Sequence, residues 1–326
     1  MPQYCTLFDR NYLSRGLALY RSLARHGGDF KLFTLCLDNP TREVLTALAL
    51  PRVEIIAIES LEDSDHELRN SRTNRTTLEF YFACKPSLVR FVLNNFEAVP
   101  RITYLDSDLY FFSTPGPLER ALAESDITLT PHRFPAGLKD RERYGLFNAG
   151  WISVRSSTEG RRFVEWWRQR CIEWSGLAVE EARFGDQKYL DYVPTLFRNV
   201  VSVLHPGMNA APWNIEGLRF DVSENGVTIE GQPLILFHFH GMKRVLPRLY
   251  DSGLHWYGAR LPTFLRKYIY RPYLEELADC QARLKTLPQT VRSHLGSPDA
   301  SSVGRWTTRL KVVARILATR TALIGP

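Results

Sequence analysis

Two aspartates interrupt an apolar and aromatic run that extends from Ile102 to Phe112. Asp106 and Asp108 stand two positions apart within this run. Such a run predicts a buried strand, and side chains two residues apart on a strand point to the same face. Because two buried anions are costly without a compensating cation, the pattern predicts a hard divalent metal ion at the carboxyl end of a strand. The alternative is a solvated turn between two short strands, with Asp-Ser-Asp as ordinary turn residues.

A second apolar segment could supply the remaining groups of such a site. Residues 234–243 read as a buried strand that ends in His238, His240, Gly241 and Lys243. Imidazole is a borderline metal ligand, so either histidine could complete a site with the two aspartates. A structural imidazole is the alternative for each histidine. The backbone N–H of Gly241 and the ammonium group of Lys243 suit a phosphate.

The elements that must position these residues alternate from the start of the chain. Strand and helix patterns follow one another at residues 3–8, about 14–26, 31–37, 41–50 and 53–58. This order predicts a mostly parallel sheet flanked by helices, which places a ligand over the carboxyl ends of the strands. Asp9 and Asn11 would lie at such an end, either as ligand contacts or as helix-capping residues.

Two polar segments could close over a ligand. Residues 60–78 predict a long loop or a mobile helical excursion, and residues 133–144 predict a second loop. A helix from about residue 77 to 94 follows, bent or broken near Pro86. Lys85 lies among apolar residues of this helix, so it needs an anionic partner, either Glu79 or a bound phosphate.

The strand predicted over residues 146–154 has small residues at its centre. Asn148-Ala149-Gly150 indicates that a ligand or another backbone approaches this strand closely. The amide of Asn148 offers both a donor and an acceptor to such a ligand.

The composition is that of a globular protein of one large or two smaller domains. Hydrophobic residues make up 44% and charged residues 24% of the chain, and no apolar run is long enough to cross a bilayer. The first residues run directly into a strand pattern, so we expect no signal peptide. The five cysteines are scattered without metal-type spacing, which predicts buried free thiols in a reducing cytoplasm.

The positive charge is concentrated in the last part of the chain. From residue 259 onward, 12 lysines and arginines stand against four aspartates and glutamates, which accounts for the net charge of +7. We therefore expect a domain over residues 1–258 and a basic, mainly helical tail over residues 259–326. Within the tail, residues 297–302 read as a linker and residues 305–323 as an amphipathic helix.

One face of that helix carries Trp306, Leu310, Val313 and Leu317, with arginines around it. A basic amphipathic helix is typical of a segment that lies in an anionic membrane surface, here the inner face of the cytoplasmic membrane. The alternative is a helix that packs on its own domain. A nucleic-acid partner is not expected, because no aromatic and basic platform accompanies the charge.

Taken together, these motifs resemble the GT-A fold glycosyltransferases. The best match is family 8, which contains glycogenin and bacterial lipopolysaccharide galactosyl- and glucosyltransferases, and the resemblance covers about residues 4–245. It implies a Rossmann-like, mostly parallel α/β sheet. It also implies metal-dependent transfer of a sugar from a nucleotide-diphosphate sugar, with UDP favoured, to a glycan or glycolipid acceptor. Retention of configuration and a place in bacterial surface polysaccharide synthesis follow from the same resemblance.

The resemblance also assigns roles to individual residues. Tyr104-Leu105-Asp106-Ser107-Asp108 looks like the family's Asp-x-Asp motif, which implies that Asp106 and Asp108 hold Mn²⁺ or Mg²⁺. His238-Phe239-His240-Gly241 matches its His-x-x-Gly, which implies His238 as third ligand, with His240 as the alternative. Asp186-Gln187 is similar to the pair beside the anomeric carbon, which implies a catalytic role for Gln187 or Asp186. Donor contacts are implied for Asp9, Asn11, Tyr12, Lys85, Asn148, Gly150, Gly241 and Lys243. The family usually continues to Lys-Pro-Trp, whereas Lys243 comes one residue early here.

Other functions use the same residues differently. An inverting transferase of the same fold would use Asp186 or Asp191 as a general base for the acceptor hydroxyl. A non-catalytic scaffold would bind a nucleotide sugar without turnover. A sugar nucleotidyltransferase would carry a glycine-rich, lysine-containing loop after the first strand, and Phe8-Asp9-Arg10-Asn11 is no such loop.

Overall fold

A seven-stranded sheet at the centre of the molecule positions the candidate residues. The computed structural model describes residues 1–224, 226–295 and 306–326. The strands are β1 (Gln3–Phe8), β2 (Lys31–Cys36), β3 (Val53–Ala57), β4 (Arg101–Leu105), β5 (Leu109–Phe111), β6 (Ile127–Pro131), β7 (Phe147–Arg155), β8 (Val200–Ser202), β9 (Phe220–Ser223), β10 (Gly226–Ile229), β11 (Gln232–Pro233), β12 (Leu236–His238), β13 (Lys243–Leu246), β14 (Leu249–Asp251) and β15 (Ala322–Ile324).

The central sheet has the order β3-β2-β1-β4-β7-β6-β8. The first four strands in this order run parallel, and β7 is antiparallel to both of its neighbours. Parallel strands require crossover helices, which explains the strand and helix alternation at the start of the chain. The predicted mostly parallel α/β sheet is confirmed. Smaller sheets are formed by β12 with β5, by β9 to β11, and by β13 to β15.

Helices cover both faces of the sheet. They are α1 (Leu13–His26), α2 (Asn39–Leu48), α3 (Ile58–Ser64), α4 (His66–Ser71), α5 (Thr77–Asn95), α6 (Glu119–Glu124), α7 (Thr158–Glu173), α8 (Val193–Leu196), α9 (Thr263–Leu265), α10 (Arg271–Lys285), α11 (Gln289–Arg292) and α12 (Trp306–Ala318). Successive side chains of β1 point to opposite faces of the sheet, so they pack against different helix layers. Cys5 and Leu7 pack in the cluster that contains α5 and α7, whereas Phe8 packs in the cluster that contains α1 and α10.

The segment over residues 60–78 is mostly helical, so of the two predicted alternatives the long loop is wrong and the helical one is realised. Residues of this segment belong to α3 and α4, in which Leu61 and Leu68 are fully buried. Asp65 accepts two hydrogen bonds from the guanidinium of Arg168 on α7, at 2.7 and 2.5 Å. This buried bidentate pair fixes α4 to α7. Likewise, most of the loop expected over residues 133–144 is a 3-10 helix, Ala136–Tyr144.

Helix α5 continues through Pro86, so of the predicted bend or break the break is wrong. The helix begins with a capping box in which Thr76 and Glu79 satisfy each other's backbone N–H groups. Glu79 is therefore engaged at the first turn of α5 and is not the partner of Lys85.

The end of the chain returns to the domain. Side chains of α10 join β12 and α1 in one hydrophobic cluster, and β15 pairs with β14. Helix α12 ends at Ala318, earlier than predicted, because Ala322–Ile324 is a strand. The linker expected over residues 297–302 lies outside the described residues, and the domain boundary after residue 258 stays a prediction. All five cysteines are buried and free, as predicted. None of the helices described here has the length and apolar character needed to span a membrane.

Candidate active site

Asp106 and Asp108 lie in a turn between two strands. Strand β4 ends at Leu105 and β5 begins at Leu109, so the predicted continuous strand through both aspartates is wrong. The backbone N–H of Asp106 donates to the carbonyl of Gly150 at 2.8 Å, and that of Leu109 donates to the carbonyl of Asp106 at 3.2 Å. Neither aspartate is exposed, so the turn is not a solvated one.

The pairing of β5 with β12 brings His238 to this turn. His238 lies opposite Leu109 in the antiparallel register, and the next N–H along the chain, that of Phe239, donates to the carbonyl of Asp108 at 3.0 Å. The imidazole Nε2 of His238 is 3.1 Å from Oδ1 of Asp108 and 3.9 Å from Oδ2 of Asp106. A distant segment therefore completes the group that the sequence analysis placed around a metal ion.

These three side chains fit a divalent metal. One ligand atom from each of Asp106, Asp108 and His238 lies within 4.8 Å of the other two. Ligands held at about 2.1 Å in an octahedral shell are about 3 Å apart when adjacent and about 4 Å apart when opposite. Two carboxylates and one imidazole suit Mn²⁺, Mg²⁺ or Zn²⁺ chemically. Among the described residues, His240 is not part of this group; it is exposed, and its ring centroid is 5.7 Å from that of His238.

Nearby positive charge keeps the carboxyl group of Asp108 ionised, the form that binds a cation. Burial alone would raise the pKa of this carboxyl. The facing imidazole of His238 and the guanidinium of Arg15 outweigh that penalty and hold the pKa of Asp108 well below its usual range. Asp108 is therefore ionised at neutral pH.

Asn148 orients the histidine of this group. Its Oδ1 accepts from the backbone N–H of Gly150 at 3.1 Å, which identifies that atom as the oxygen. The same Oδ1 lies 3.3 Å from Nδ1 of His238, so Nδ1 donates a proton to Asn148, and Nε2 is the nitrogen that would face a metal ion held by the aspartates. The Nδ2 of Asn148 is 3.4 Å from Nε2 of His132, whose pKa burial lowers to about 3. His132 is therefore neutral and can accept this hydrogen bond.

The glycine in the centre of β7 leaves room for these side chains. A Cβ at Gly150 would lie 2.7 Å from Oδ1 of Asn148, 2.8 Å from Cε1 of His238 and 3.0 Å from Oδ2 of Asp106. Real Cβ atoms do not approach other atoms so closely. The close approach predicted for this strand is thus made by the site's own side chains.

Lys85 joins the aspartate turn to the second candidate motif. Its ammonium Nζ is 2.9 Å from Oδ1 of Asp106 and 2.9 Å from Oδ2 of Asp186, and it is almost fully buried. Burial alone would lower the pKa of Lys85, but the two carboxylates raise it above its usual value. Burial and the neighbouring Asp106 raise the pKa of Asp186, and Lys85 opposes this shift. Within the described part of the chain, the partners of Lys85 are therefore two aspartates and not Glu79.

Gln187 and Asp191 flank the entry to β7. The amide nitrogen of Gln187 donates to the carbonyl of Tyr144 at 3.0 Å, and the side chain is half-buried. The two carboxylate oxygens of Asp191 are engaged, one by the N–H of Leu146 at 2.7 Å and the other by the ammonium of Lys188 at 2.9 Å. Asp191 is therefore a structural anchor of this loop and is poorly placed to serve as a general base.

The remaining donor-binding candidates lie at the ends of β1 and β12. Asp9 caps the 3-10 turn Arg10–Tyr12 and accepts from the backbone and the side chain of Asn11 at 3.0 and 2.9 Å. The capping alternative is thus realised for Asp9, and Tyr12 is partly exposed beside it. Gly241 has a positive φ of 73°, and Lys243 is exposed on β13 opposite Asp251.

Three residues that no sequence motif singled out, Arg15, Trp213 and His132, complete the site. The buried guanidinium of Arg15 donates to the carbonyl of Met242 at 2.9 Å and lies 4.5 Å from the ring centroid of Tyr12, so it links the ends of β1 and β12. Trp213 packs edge-on against His238 at 5.1 Å and donates to the carbonyl of His132 at 3.0 Å. His132 directly follows β6, and its position after a strand was the signal that could have identified it.

Two known proteins are similar in sequence to this chain over most of its length. YfnF of Bacillus subtilis (strain 168), an uncharacterised protein, is 32% identical over 250 residues, which cover 74% of this chain and 82% of YfnF. The uncharacterised YfnD of the same organism is 30% identical over 277 residues, or 84% of this chain and 88% of YfnD. The chain belongs to the family of YfnF and YfnD. No protein-family model matches it.

The fold of this YfnF and YfnD relative is that of the GT-A proteins. The structure aligns with that of the galactosyltransferase LgtC in complex with donor and acceptor sugar analogs, with a TM-score of 0.56 and 13% sequence identity. The alignment covers 89% of this chain and 99% of LgtC. The GT-A fold inferred from the sequence motifs is therefore confirmed.

Proposed function

We propose that this protein is a metal-dependent glycosyltransferase that moves a sugar from a nucleotide-diphosphate sugar, preferably a UDP-sugar, to a glycan or glycolipid acceptor. The observation that carries the proposal is the convergence of Asp106, Asp108 and His238 within 4.8 Å on a GT-A fold. The three side chains would hold Mn²⁺ or Mg²⁺. That ion, when bound, would neutralise negative charge on the departing diphosphate.

The reaction exchanges two bonds at the anomeric carbon of the sugar. The bond to the diphosphate oxygen breaks, and its electron pair leaves with the diphosphate. The acceptor oxygen bonds to the same carbon, and the hydroxyl proton of the acceptor passes to the diphosphate. The half-buried amide of Gln187 is our candidate for the group that stabilises the cation-like sugar. Retention is our preferred outcome, because both oxygens of Asp191 are engaged elsewhere and Asp186 is paired with Lys85.

The donor nucleotide would extend from the metal centre toward the end of β1. Asp9, Asn11 and Tyr12 lie there, and Arg15 ties this turn to the backbone beside Gly241. Gly241 and Lys243 would then contact the diphosphate. Asn148 and Gly150 act on the donor indirectly, because they orient and make room for His238.

Substitution of a metal ligand tests the proposal. Asp108→Asn should reduce Mn²⁺-dependent release of UDP from UDP-glucose and UDP-galactose at least 100-fold, because it removes a charged ligand from the group. Asp29→Asn is the control, since the Asp29 side chain is 74% exposed and distant in sequence from the site. Circular dichroism would verify that both variants fold. Undiminished release by Asp108→Asn would overturn the assignment, and product NMR would separate retention from inversion.

We further propose that the C-terminal helix contacts an anionic membrane surface at the inner face of the cytoplasmic membrane, as in enzymes that build bacterial surface polysaccharides. Leu310 and Leu317 on α12 are 63% and 59% exposed, and Lys311 and Arg315 lie on the same helix. Exposed apolar side chains next to cations suit an anionic bilayer interface. The exposed Lys311 and the partly exposed Arg315 remain available, although Arg315 also contacts Asp251 at 3.4 Å.

Flotation with phosphatidylglycerol vesicles measures this contact. The double variant Leu310→Ser/Leu317→Ser should lose most of its vesicle-bound fraction. Leu204→Ser removes a leucine that is 79% exposed elsewhere on the surface, and it should float like the unmodified protein. Equal flotation of all three proteins would contradict the membrane proposal and leave the transferase proposal unaffected.

A further inference from the structure

A cavity separate from the aspartate group opens beside the C-terminal segment. Its volume is about 430 Å³, and it is lined by residues of the segment 255–260 and of the segment 318–320. Four polar or charged side chains contribute to the lining, those of His255, Arg260, Thr319 and Arg320. A volume of this size is in the range of small-ligand sites, roughly 300 to 1,000 Å³.

The two arginines of this cavity have no anionic partner among residues 1–224, 226–295 and 306–326. Both are exposed, and neither forms an ion pair within 4.0 Å in the described part of the chain. Neighbouring cations of the same region are engaged: Arg315 contacts Asp251 at 3.4 Å, and Arg271 contacts Glu275 at 2.8 Å. Arg260 and Arg320 therefore bring two uncompensated positive charges to one cavity.

The histidine of the cavity has one nitrogen available. The side chain of His255 is only 7% exposed, and its Nδ1 is 3.1 Å from Oδ1 of Asp251. Its Nε2, on the opposite edge of the ring, is buried and has no hydrogen-bond partner among the described residues. A buried polar atom without a partner is costly, and a ligand in the cavity would satisfy it once the side chains that cover Nε2 move aside. Burial lowers the pKa of His255 although Asp251 opposes the shift, so a bound anion would favour the protonated, donating form.

Asp251 holds the histidine in place. Its Oδ1 also accepts from the backbone N–H of Gly253 at 3.0 Å, and Arg315 contacts its other oxygen. Gly253 has a positive φ of 80°, and a Cβ there would lie 2.8 Å from the carbonyl oxygen of His240. The loop that carries His255 is thus packed directly on the backbone that follows the metal-ligand candidate His238.

We propose that this cavity is an anion site that binds the phosphate group of a phosphate ester through Arg260, Arg320 and His255. Guanidinium groups match the oxygens of a phosphate in geometry and charge, and two of them with an imidazole compensate a dianion. The cavity exceeds the size of a phosphate alone, so it also accommodates part of the esterified alcohol. The site shares no residue with Asp106, Asp108 and His238, and it does not depend on the proposed transfer reaction.

Calorimetric titration of the full chain with glycerol 3-phosphate, without added metal, tests the proposal. Arg260→Gln/Arg320→Gln should weaken binding at least tenfold. The control Arg219→Gln/Arg271→Gln removes the same charge from side chains that are 87% and 72% exposed, and it should bind like the unmodified protein. Equal and measurable binding by all three proteins, or equal loss in both double variants, would overturn the site. Absence of binding to both glycerol 3-phosphate and phosphatidic acid vesicles would overturn it as well.

Two further measurements identify the source of the phosphate and the role of the histidine. If the cavity binds a lipid headgroup, the unmodified protein should bind phosphatidic acid vesicles and should not bind glycerol 3-phosphate. Arg260→Gln/Arg320→Gln should then lose the vesicle binding. If the cavity binds a soluble ester, the loss should occur with glycerol 3-phosphate. In ¹⁵N NMR, the ring nitrogens of His255 should shift on addition of the effective ligand. Unchanged His255 signals at saturation would refute its assignment.

Discussion

Removal of the ammonium group of Lys85 should destabilise the fold strongly. In Lys85→Met, the carboxylates of Asp106 and Asp186 lose a cation that lies 2.9 Å from each of them. The Lys85 side chain is 9% exposed and that of Asp186 is 4% exposed, so water cannot replace the lost partner. Breaking a buried ion pair from one side costs about 3–5 kcal/mol, and we expect the free energy of unfolding at pH 8 to fall by this amount.

The loss should depend on pH through Asp186. Burial and Asp106 already raise the pKa of this carboxyl above its ordinary 3.8. A carboxyl with a raised folded-state pKa binds a proton that the unfolded chain has released. Its contribution to stability is therefore present below the unfolded pKa and is lost as pH rises through the folded pKa. Without Lys85 the folded pKa rises further, so the destabilisation should be smaller at pH 5 than at pH 8.

Urea unfolding followed by tryptophan fluorescence at both pH values measures these changes. Lys31→Met is the matched control, because Lys31 pairs with Glu54 at 3.1 Å but the two side chains are 33% and 41% exposed. A surface pair of this kind contributes about 0–1 kcal/mol. The reasoning is refuted if Lys85→Met loses no more stability than Lys31→Met, or if its loss is the same at pH 5 and pH 8.

Other substitutions examine single contacts of the site and its supports. Gly150→Ala should lower Mn²⁺ affinity at least tenfold in calorimetry, because the new Cβ would lie 2.8 Å from the ring of His238; an unchanged affinity would exclude the crowding. Asn148→Leu should lower Mn²⁺ affinity about 10- to 100-fold and shift the ¹⁵N signals of His238, whereas Asn148→Asp, which keeps an acceptor, should retain the tautomer. Arg168→Met should cost about 3–5 kcal/mol and speed hydrogen exchange in α4, since it breaks the buried pair with Asp65; protection equal to that of the unmodified protein would contradict this role.

Local sequence patterns predicted the architecture well. The strands and helices of the first 58 residues follow alternating apolar periods, and those periods directly reflect burial on one or both faces of an element. The separation of Asp106, Asp108 and His238 along the chain did not prevent their assignment to one site, because apolar runs predicted a buried strand at each of them. In the structure the two aspartates lie in the turn between β4 and β5, and the pairing of β12 with β5 brings His238 to that turn.

Local sequence patterns could not predict contacts between charged residues that are distant along the chain. Residues 60–78 read as a loop or a mobile helical excursion because their charges have no local explanation, and the partner of Asp65 is Arg168, 103 residues away. Lys85 was recognised as a buried cation in need of an anion, but its partners Asp106 and Asp186 could not be chosen from sequence. Periodicity reports burial of a position, whereas the identity of the partner depends on how helices pack across the sheet.

The position of Lys85 also determines how the site can respond to a cation. Asp106 uses Oδ1 for Lys85 and for the hydroxyl of Tyr104, at 2.9 and 2.8 Å, so its free oxygen Oδ2 is the one that faces His238. A cation bound there would compensate part of the negative charge of Asp106 that Lys85 compensates in the structure. The ammonium group would then interact more strongly with Asp186, which would lower the pKa of that buried carboxyl beside Gln187. We therefore expect cation binding at the aspartate turn to change the charge beside the candidate sugar-binding pair through the buried Lys85.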